Sequence, residues 1–70
     1  MSNQKYTIFD NIEGELRRNH KTQEDLTSAL GVERKTYQNW RAKNDMPSSK
    51  FIETAVFLGC TLDVLSRGVF

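Results

Sequence analysis

The sequence predicts an all-α fold, a compact bundle of about five short helices in one domain. In several segments apolar residues recur every three or four positions, which is the period of one helix face. No segment shows the sustained alternation of apolar and polar residues that indicates a strand. The chain has 70 residues, of which 37% are hydrophobic and 27% charged, so its size and composition predict one globular domain spanning residues 1–70.

The first predicted helix has one apolar stripe and a signal at each end. Ile8, Ile12 and Leu16 recur every fourth residue and share a face, with Phe9 beside them. Thr7, followed three residues later by an acidic residue, opens the helix as a capping pair. Cations are favourable near a helix C-terminus, and here they are Arg17, Arg18 and His20.

The second helix is predicted to be barely two turns long. Thr22 and Asp25 repeat the capping pattern, and Gly31 is a residue type that ends helices. The predicted apolar face consists of Leu26, Ala29 and Leu30.

A third helix follows almost immediately. Val32, Thr36 and Trp40 fall on one line at a spacing of four, with Tyr37 alongside, and the helix should end before Asn44. Because so few residues separate the second and third helices, they must cross steeply, at roughly 90 to 120°. We expect Gly31 to adopt a positive φ at this corner, which a residue without Cβ tolerates best.

Two further helices complete the predicted bundle. Pro47 suits the first turn of the fourth helix, which should end at Gly59. Its predicted buried side consists of Phe51, Ile52, Ala55, Val56 and Leu58. The last short helix, from Thr61 to an end at Gly68, should bury Leu62 and Leu65.

Several classes of protein are disfavoured by the composition. The longest apolar run is residues 55–58, far short of the roughly 20 residues of a membrane helix, and no apolar stretch follows residues 1–5 as in a signal peptide. We therefore expect a cytoplasmic protein without membrane contact. Cys60 is the single cysteine and His20 the single histidine, so we expect a buried, inert Cys60 and neither a disulfide nor a metal site.

The chain also lacks the residue patterns of an enzyme. It has no Ser/His/Asp or Cys/His arrangement, no paired carboxylates in an apolar run and no glycine-rich phosphate loop. We expect no catalytic residues and no cofactor.

Positive charge is concentrated in one segment. The net charge of the whole chain is only +1, but residues 33–50 carry five basic side chains against two acidic ones. This distribution favours nucleic acid as a partner more strongly than the net charge does.

Polar residues form the outward side of the third helix. Val32, Tyr37 and Trp40 are predicted to face the core, and the residues that then face outward are Arg34, Lys35, Gln38 and Asn39. Arg and Lys can donate to N7 and O6 of guanine, and Asn and Gln can pair with N6 and N7 of adenine. Without other information, this pattern fits an ordinary solvent-exposed helix face equally well. Trp40 is either a core residue, which its spacing favours, or a platform for single-stranded bases.

Two stretches of the sequence carry a family pattern. Residues 22–32 read TQEDLTSALGV and residues 36–40 read TYQNW, which resemble the helix-turn-helix of the phage repressor and Cro family, with its initial Gln, its Leu-Gly-Val turn and its Trp. Residues 44–68 read NDMPSSKFIETAVFLGCTLDVLSRG and are similar to helices four and five of those domains. The resemblance covers most of the chain and implies a lambda-repressor-like fold.

The resemblance also implies roles for individual residues. Arg34, Lys35 and Asn39 occupy base-reading positions, beside Gln38. Glu33, at the entrance of the helix, either accepts from cytosine N4 or favours the helix dipole. Gln23 is expected to touch a phosphate and to brace the recognition helix. The other expected contacts to the DNA backbone are Thr22, Arg41, Lys43, Asn44 and Lys50.

Two residues depart from the family pattern, and both are bulkier than usual. Thr27 replaces Ala at the close contact between the two helices, and Tyr37 replaces Val, Ile or Leu. Tyr37 belongs either to the core or, turned outward, to the DNA surface.

The function expected from these observations is sequence-specific binding of duplex DNA by a transcriptional regulator, a phage or prophage-type repressor. Residues 33–42 would lie in the major groove. The alternative is a helical protein-interaction module, such as an adaptor or an antitoxin.

A homodimer is expected on DNA, because one recognition helix touches too few base pairs to select an operator. Val69 and Phe70 are the candidate contact, since they follow the terminating Gly68 as an apolar pair. Alternatively Phe70 caps its own core, or the dimer contact belongs to a domain beyond residue 70.

Overall fold

A computed structural model describes residues 7–68, which form five α-helices. The helices are α1 (Ile8–Arg18), α2 (Gln23–Leu30), α3 (Arg34–Lys43), α4 (Ser48–Leu58) and α5 (Leu62–Leu65). This confirms the all-α prediction, with boundaries one residue from those expected for α3 and α4, because Glu33 and Pro47 are N-caps. The last helix ends at Leu65 and not at Gly68, which lies in a following turn.

The helix starts follow from local hydrogen bonds. In α1 the amide N–H of Asp10 donates to Thr7 Oγ1 (3.3 Å), and the amide N–H of Thr7 donates to Asp10 Oδ2 (2.9 Å). The same reciprocal pair joins Thr22 and Asp25 at the start of α2. Both predicted capping boxes are confirmed, and they satisfy amide groups that a helix N-terminus leaves without intrahelical partners.

The core lies between all five helices and the α3–α4 connection. α4 packs against α1, α2 and α5, while α1 also contacts α5 and α2 contacts α3. Tyr37 is fully buried and meets Phe9 edge-on, with 5.7 Å between ring centroids. The core prediction for Tyr37 is therefore confirmed. The buried apolar residues are Phe9, Ile12, Leu16, Leu26, Leu30, Tyr37, Met46, Ala55, Leu58 and Leu65.

The prediction of the apolar faces was wrong at four positions. Ile52, Val56 and Leu62 are 51%, 76% and 42% exposed, and Ala29 is also exposed. In α4 the buried side is formed around Thr54, Ala55 and Leu58. At 3.6 residues per turn, Ile52 lies about 110° and Val56 about 150° from the centre of that side around the helix axis.

Thr54 and Met46 were not predicted in the core. Thr54 is fully buried, and its hydroxyl donates to the carbonyl of Lys50 (2.8 Å), so that its polar atom has a partner in the core. Cys60 was expected to be buried but is half-buried, and this burial raises the pKa of its thiol.

Within residues 7–68, none of the helices has the length and apolar content needed to span a bilayer.

Candidate nucleic-acid interface

The corner between α2 and α3 has the tight geometry of a helix-turn-helix. Gly31 adopts φ 71° and ψ 30°, in the left-handed region, and the amide of Val32 donates to the carbonyl of Thr27 (3.0 Å). A Cβ added at Gly31 would meet no atom within 4 Å. Glycine is therefore required here by backbone conformation and not by lack of space.

The bulkier Thr27 fits at the contact between the two helices. Its side chain is buried, and its hydroxyl donates to the carbonyl of Glu24 (3.1 Å) within α2. Because the added oxygen finds a partner in its own helix, it adds no unsatisfied polar atom to the α2–α3 contact.

The outer side of α3 presents the predicted base-reading residues together. They are all exposed and form two adjacent rows at a spacing of four, Arg34 with Gln38 and Lys35 with Asn39. Neither Arg34 nor Lys35 forms a salt bridge within residues 7–68. Their charged groups are thus available at the N-terminal half of the helix.

The entrance of α3 is held by backbone geometry. Glu33 is the N-cap residue, exposed, and makes no side-chain capping hydrogen bond. Its negative charge lies at the positive end of the helix dipole, where it is favourable.

One side of α3 is joined to α2 through two glutamines. The amide nitrogen Nε2 of Gln38 donates to Oε1 of Gln23 (3.0 Å). Gln23 is thus hydrogen-bonded to α3, and Gln38 retains one N–H and its carbonyl oxygen for another partner.

The other side of α3 is joined to α1 by Glu13, which sequence reasoning missed. Glu13 Oε2 accepts from the hydroxyl of Tyr37 (3.1 Å) and from Arg41 Nε (2.7 Å), and its Oε1 accepts from Arg41 Nη2 (3.3 Å). Burial, together with the charge of Glu13 and this hydrogen bond, raises the pKa of Tyr37 well above its ordinary value. Arg41 is therefore paired with a carboxylate, and its side chain remains 45% exposed.

These features are accompanied by a match to a family of known proteins. The family model described as bacteriophage CI repressor helix-turn-helix domain matches residues 17–69. The chain belongs to this family. It is therefore a DNA-binding regulatory domain, and the resemblance seen in the sequence is confirmed. Searches of curated proteins and of solved structures gave no match.

The residues predicted to contact the DNA backbone differ in their availability. Lys43 is exposed in the last turn of α3, and Asn44 follows it as a left-handed C-cap with φ 53°. Thr22 is exposed, but its hydroxyl oxygen already accepts from Asp25. Lys50 Nζ donates to the carbonyl of Leu30 (3.0 Å) at the end of α2, so its ammonium group supports the helix-turn-helix.

Proposed function

We propose that this chain is a phage or prophage-type transcriptional repressor that binds a defined duplex DNA sequence with α3 in the major groove. The observation that carries the proposal is the division of α3 into two sides. Tyr37 anchors the inner side in the core, while the outer side consists of exposed residues suited to base edges. Arg34, Lys35 and Asn39 read bases, assisted by Gln38 and Glu33.

The DNA backbone is held by residues on both flanks of the recognition helix. Lys43 and Asn44 lie at its C-terminal end, and Thr22 and Gln23 lie at the start of α2, where first-turn amide groups outside the capping box can donate to a phosphate. Lys50 has one N–H beyond its two hydrogen bonds for the same purpose. Arg41, which was also predicted in this set, is 45% exposed but paired with Glu13, so we assign it a weaker contribution to backbone binding.

The assembly on DNA is a two-fold dimer of the single domain formed by residues 1–70. One recognition helix contacts only a few base pairs, whereas two copies would read half-sites about 34 to 36 Å apart on one face of the duplex. The predicted contact residues, Val69 and Phe70, lie outside the described residues. Sedimentation of the whole chain and of a version ending at Gly68, each with and without a palindromic duplex, tests this assembly. A whole chain that stays monomeric and binds without cooperativity contradicts it.

The function itself is tested by selecting bound fragments from genomic DNA and measuring affinity for a selected and a scrambled duplex across a salt series. We expect affinity for both to fall as salt rises, with a log–log slope of about −0.9 per phosphate contacted. The selected duplex should bind at least about 10³-fold more tightly than the scrambled one. If neither duplex binds at low salt and a protein partner co-purifies, the chain is an interaction module instead.

A further inference from the structure

Glu13 lies outside the helix-turn-helix and four residues before the segment that matches the family. Its side chain is only 18% exposed, although it is charged. Both carboxylate oxygens are engaged by α3, one by Tyr37 and Arg41 together and the other by Arg41 alone. Because Tyr37 and Arg41 are one turn apart, Glu13 contacts two residues on the same face of the recognition helix.

The contacts of Glu13 restrict rotation of α3 about its own axis. Tyr37 cannot move independently, since its ring is fully buried against Phe9. The hydrogen bond between Gln23 and Gln38 holds the opposite flank. At a radius of about 5–6 Å, a rotation of about 20° would move the outer side chains by about 2 Å. That displacement exceeds the tolerance of a hydrogen bond to a base edge.

Glu13 also determines where the charge of Arg41 lies. The guanidinium group is bound through two of its nitrogens, at 2.7 and 3.3 Å, in a bidentate pair. This pair places the guanidinium group beside α1, with the Arg41 side chain still 45% exposed. Within residues 7–68, Arg34 and Lys35 on the outer side of α3 have no such carboxylate partner.

We propose that Glu13 is a positioning residue for DNA recognition, which sets the rotation of α3 and withdraws Arg41 from the DNA phosphates. The proposal rests on the function proposed above. It assigns to α1 a share in sequence specificity, through a residue that itself touches no DNA.

The test compares Glu13→Gln with Glu15→Gln in the whole chain. Glu15 is a matched control because it lies on the same helix, has a side chain that is 15% exposed and pairs with an arginine, Arg18, only at 3.9 Å. For Glu13→Gln we expect the log–log salt slope to steepen by about one unit, because the released Arg41 reaches a phosphate. The preference for selected over scrambled DNA should fall about tenfold, because a base contact is misplaced. Glu15→Gln should change neither quantity to this extent.

A double variant separates the two effects. Adding Arg41→Gln to Glu13→Gln should return the salt slope to the wild-type value while the preference stays reduced. If Glu13→Gln proves unfolded by circular dichroism, Tyr37→Phe replaces it, because it removes one hydroxyl and keeps the ring and the Glu13–Arg41 pair. It should lower the preference without changing the slope.

Two outcomes overturn the proposal. The first is a folded Glu13→Gln, or Tyr37→Phe in its place, that keeps the wild-type preference. The second is a steeper salt slope in Glu13→Gln that does not return to the wild-type value when Arg41→Gln is added. Failure of the proposed function is a separate result, since the wild-type chain would then bind neither duplex and no variant would be compared.

Discussion

Two glycines in this domain should respond to alanine with opposite signs. Gly31 adopts φ 71° at the corner between α2 and α3, and a Cβ there would contact nothing within 4 Å. Gly14 lies inside α1, where the nearest atom to an added Cβ is Arg17 Nη2 at 4.0 Å, an ordinary contact. Since neither site is crowded, backbone conformation alone determines each outcome.

The expected magnitudes follow from the backbone of each site. An L-residue in the left-handed region costs about 1–2 kcal/mol, and the reduced entropy of the unfolded chain offsets about 0.4–1 kcal/mol of this. Gly31→Ala should therefore destabilise the fold by roughly 1 kcal/mol. Gly14→Ala should stabilise it by about 0.5–1 kcal/mol, the difference between Ala and Gly in a helix interior.

Thermal unfolding followed by circular dichroism measures both effects. For a domain of this size, 1 kcal/mol corresponds to a change in Tm of about 4–8 °C, so the two variants should fall on opposite sides of the wild type. Gly31→Asn provides an internal control, because Asn tolerates the left-handed region better than Ala and should cost less. A stabilising Gly31→Ala refutes the conformational argument, as does a destabilising Gly14→Ala.

Two further predictions concern stability. Hydrogen bonds from the backbone and side chain of Thr22 hold the pKa of Asp25 below its ordinary value. The ionised carboxylate therefore stabilises the fold fully above the unfolded-state pKa of about 3.9. This stabilisation is lost as the pH falls through the lower folded-state pKa. Asp25→Asn should flatten the acid side of the stability–pH curve in urea titrations, and an unchanged acid side would show that the cap does not couple to pH. Leu58→Ala should lower the free energy of unfolding by about 2–5 kcal/mol and Ile52→Ala by less than about 0.5 kcal/mol. The reason is that Leu58 is 7% exposed and Ile52 is 51% exposed. Similar urea midpoints for the two variants would contradict this assignment of the α4 faces.

The sequence predicted the helix starts and the central corner well because their causes are local. Thr7 and Asp10 are three residues apart, so their reciprocal hydrogen bonds depend on little beyond the first turn of α1. Gly31 similarly ends α2 through its own φ. The buried face of α4 was harder to predict, because apolar residues lie on several sides of that helix. Ile52 lies outside the buried face because of the way α4 packs against α1, α2 and α5.

The same distinction applies to the candidate interface. The outer side of α3 could be predicted because it lies opposite the face that contains Tyr37, and the structure confirms that Tyr37 is buried. The binding of Arg41 by Glu13 could not, because the two residues are 28 positions apart and meet only through the crossing of α1 and α3. An acidic residue one turn after Phe9, beside the buried stripe of α1, was the only signal available in the sequence.

We propose that the outer side of α3 reads bases while its C-terminal end holds the DNA backbone. The most direct test measures Arg34→Ala and Lys43→Ala on the selected duplex and on each of its single-base variants. Arg34→Ala should cost about 1–3 kcal/mol on the selected duplex and remove the preference at one base position. Lys43→Ala should weaken all duplexes about equally and flatten the salt slope by about one unit. An equal loss from Arg34→Ala on every base variant would contradict the account.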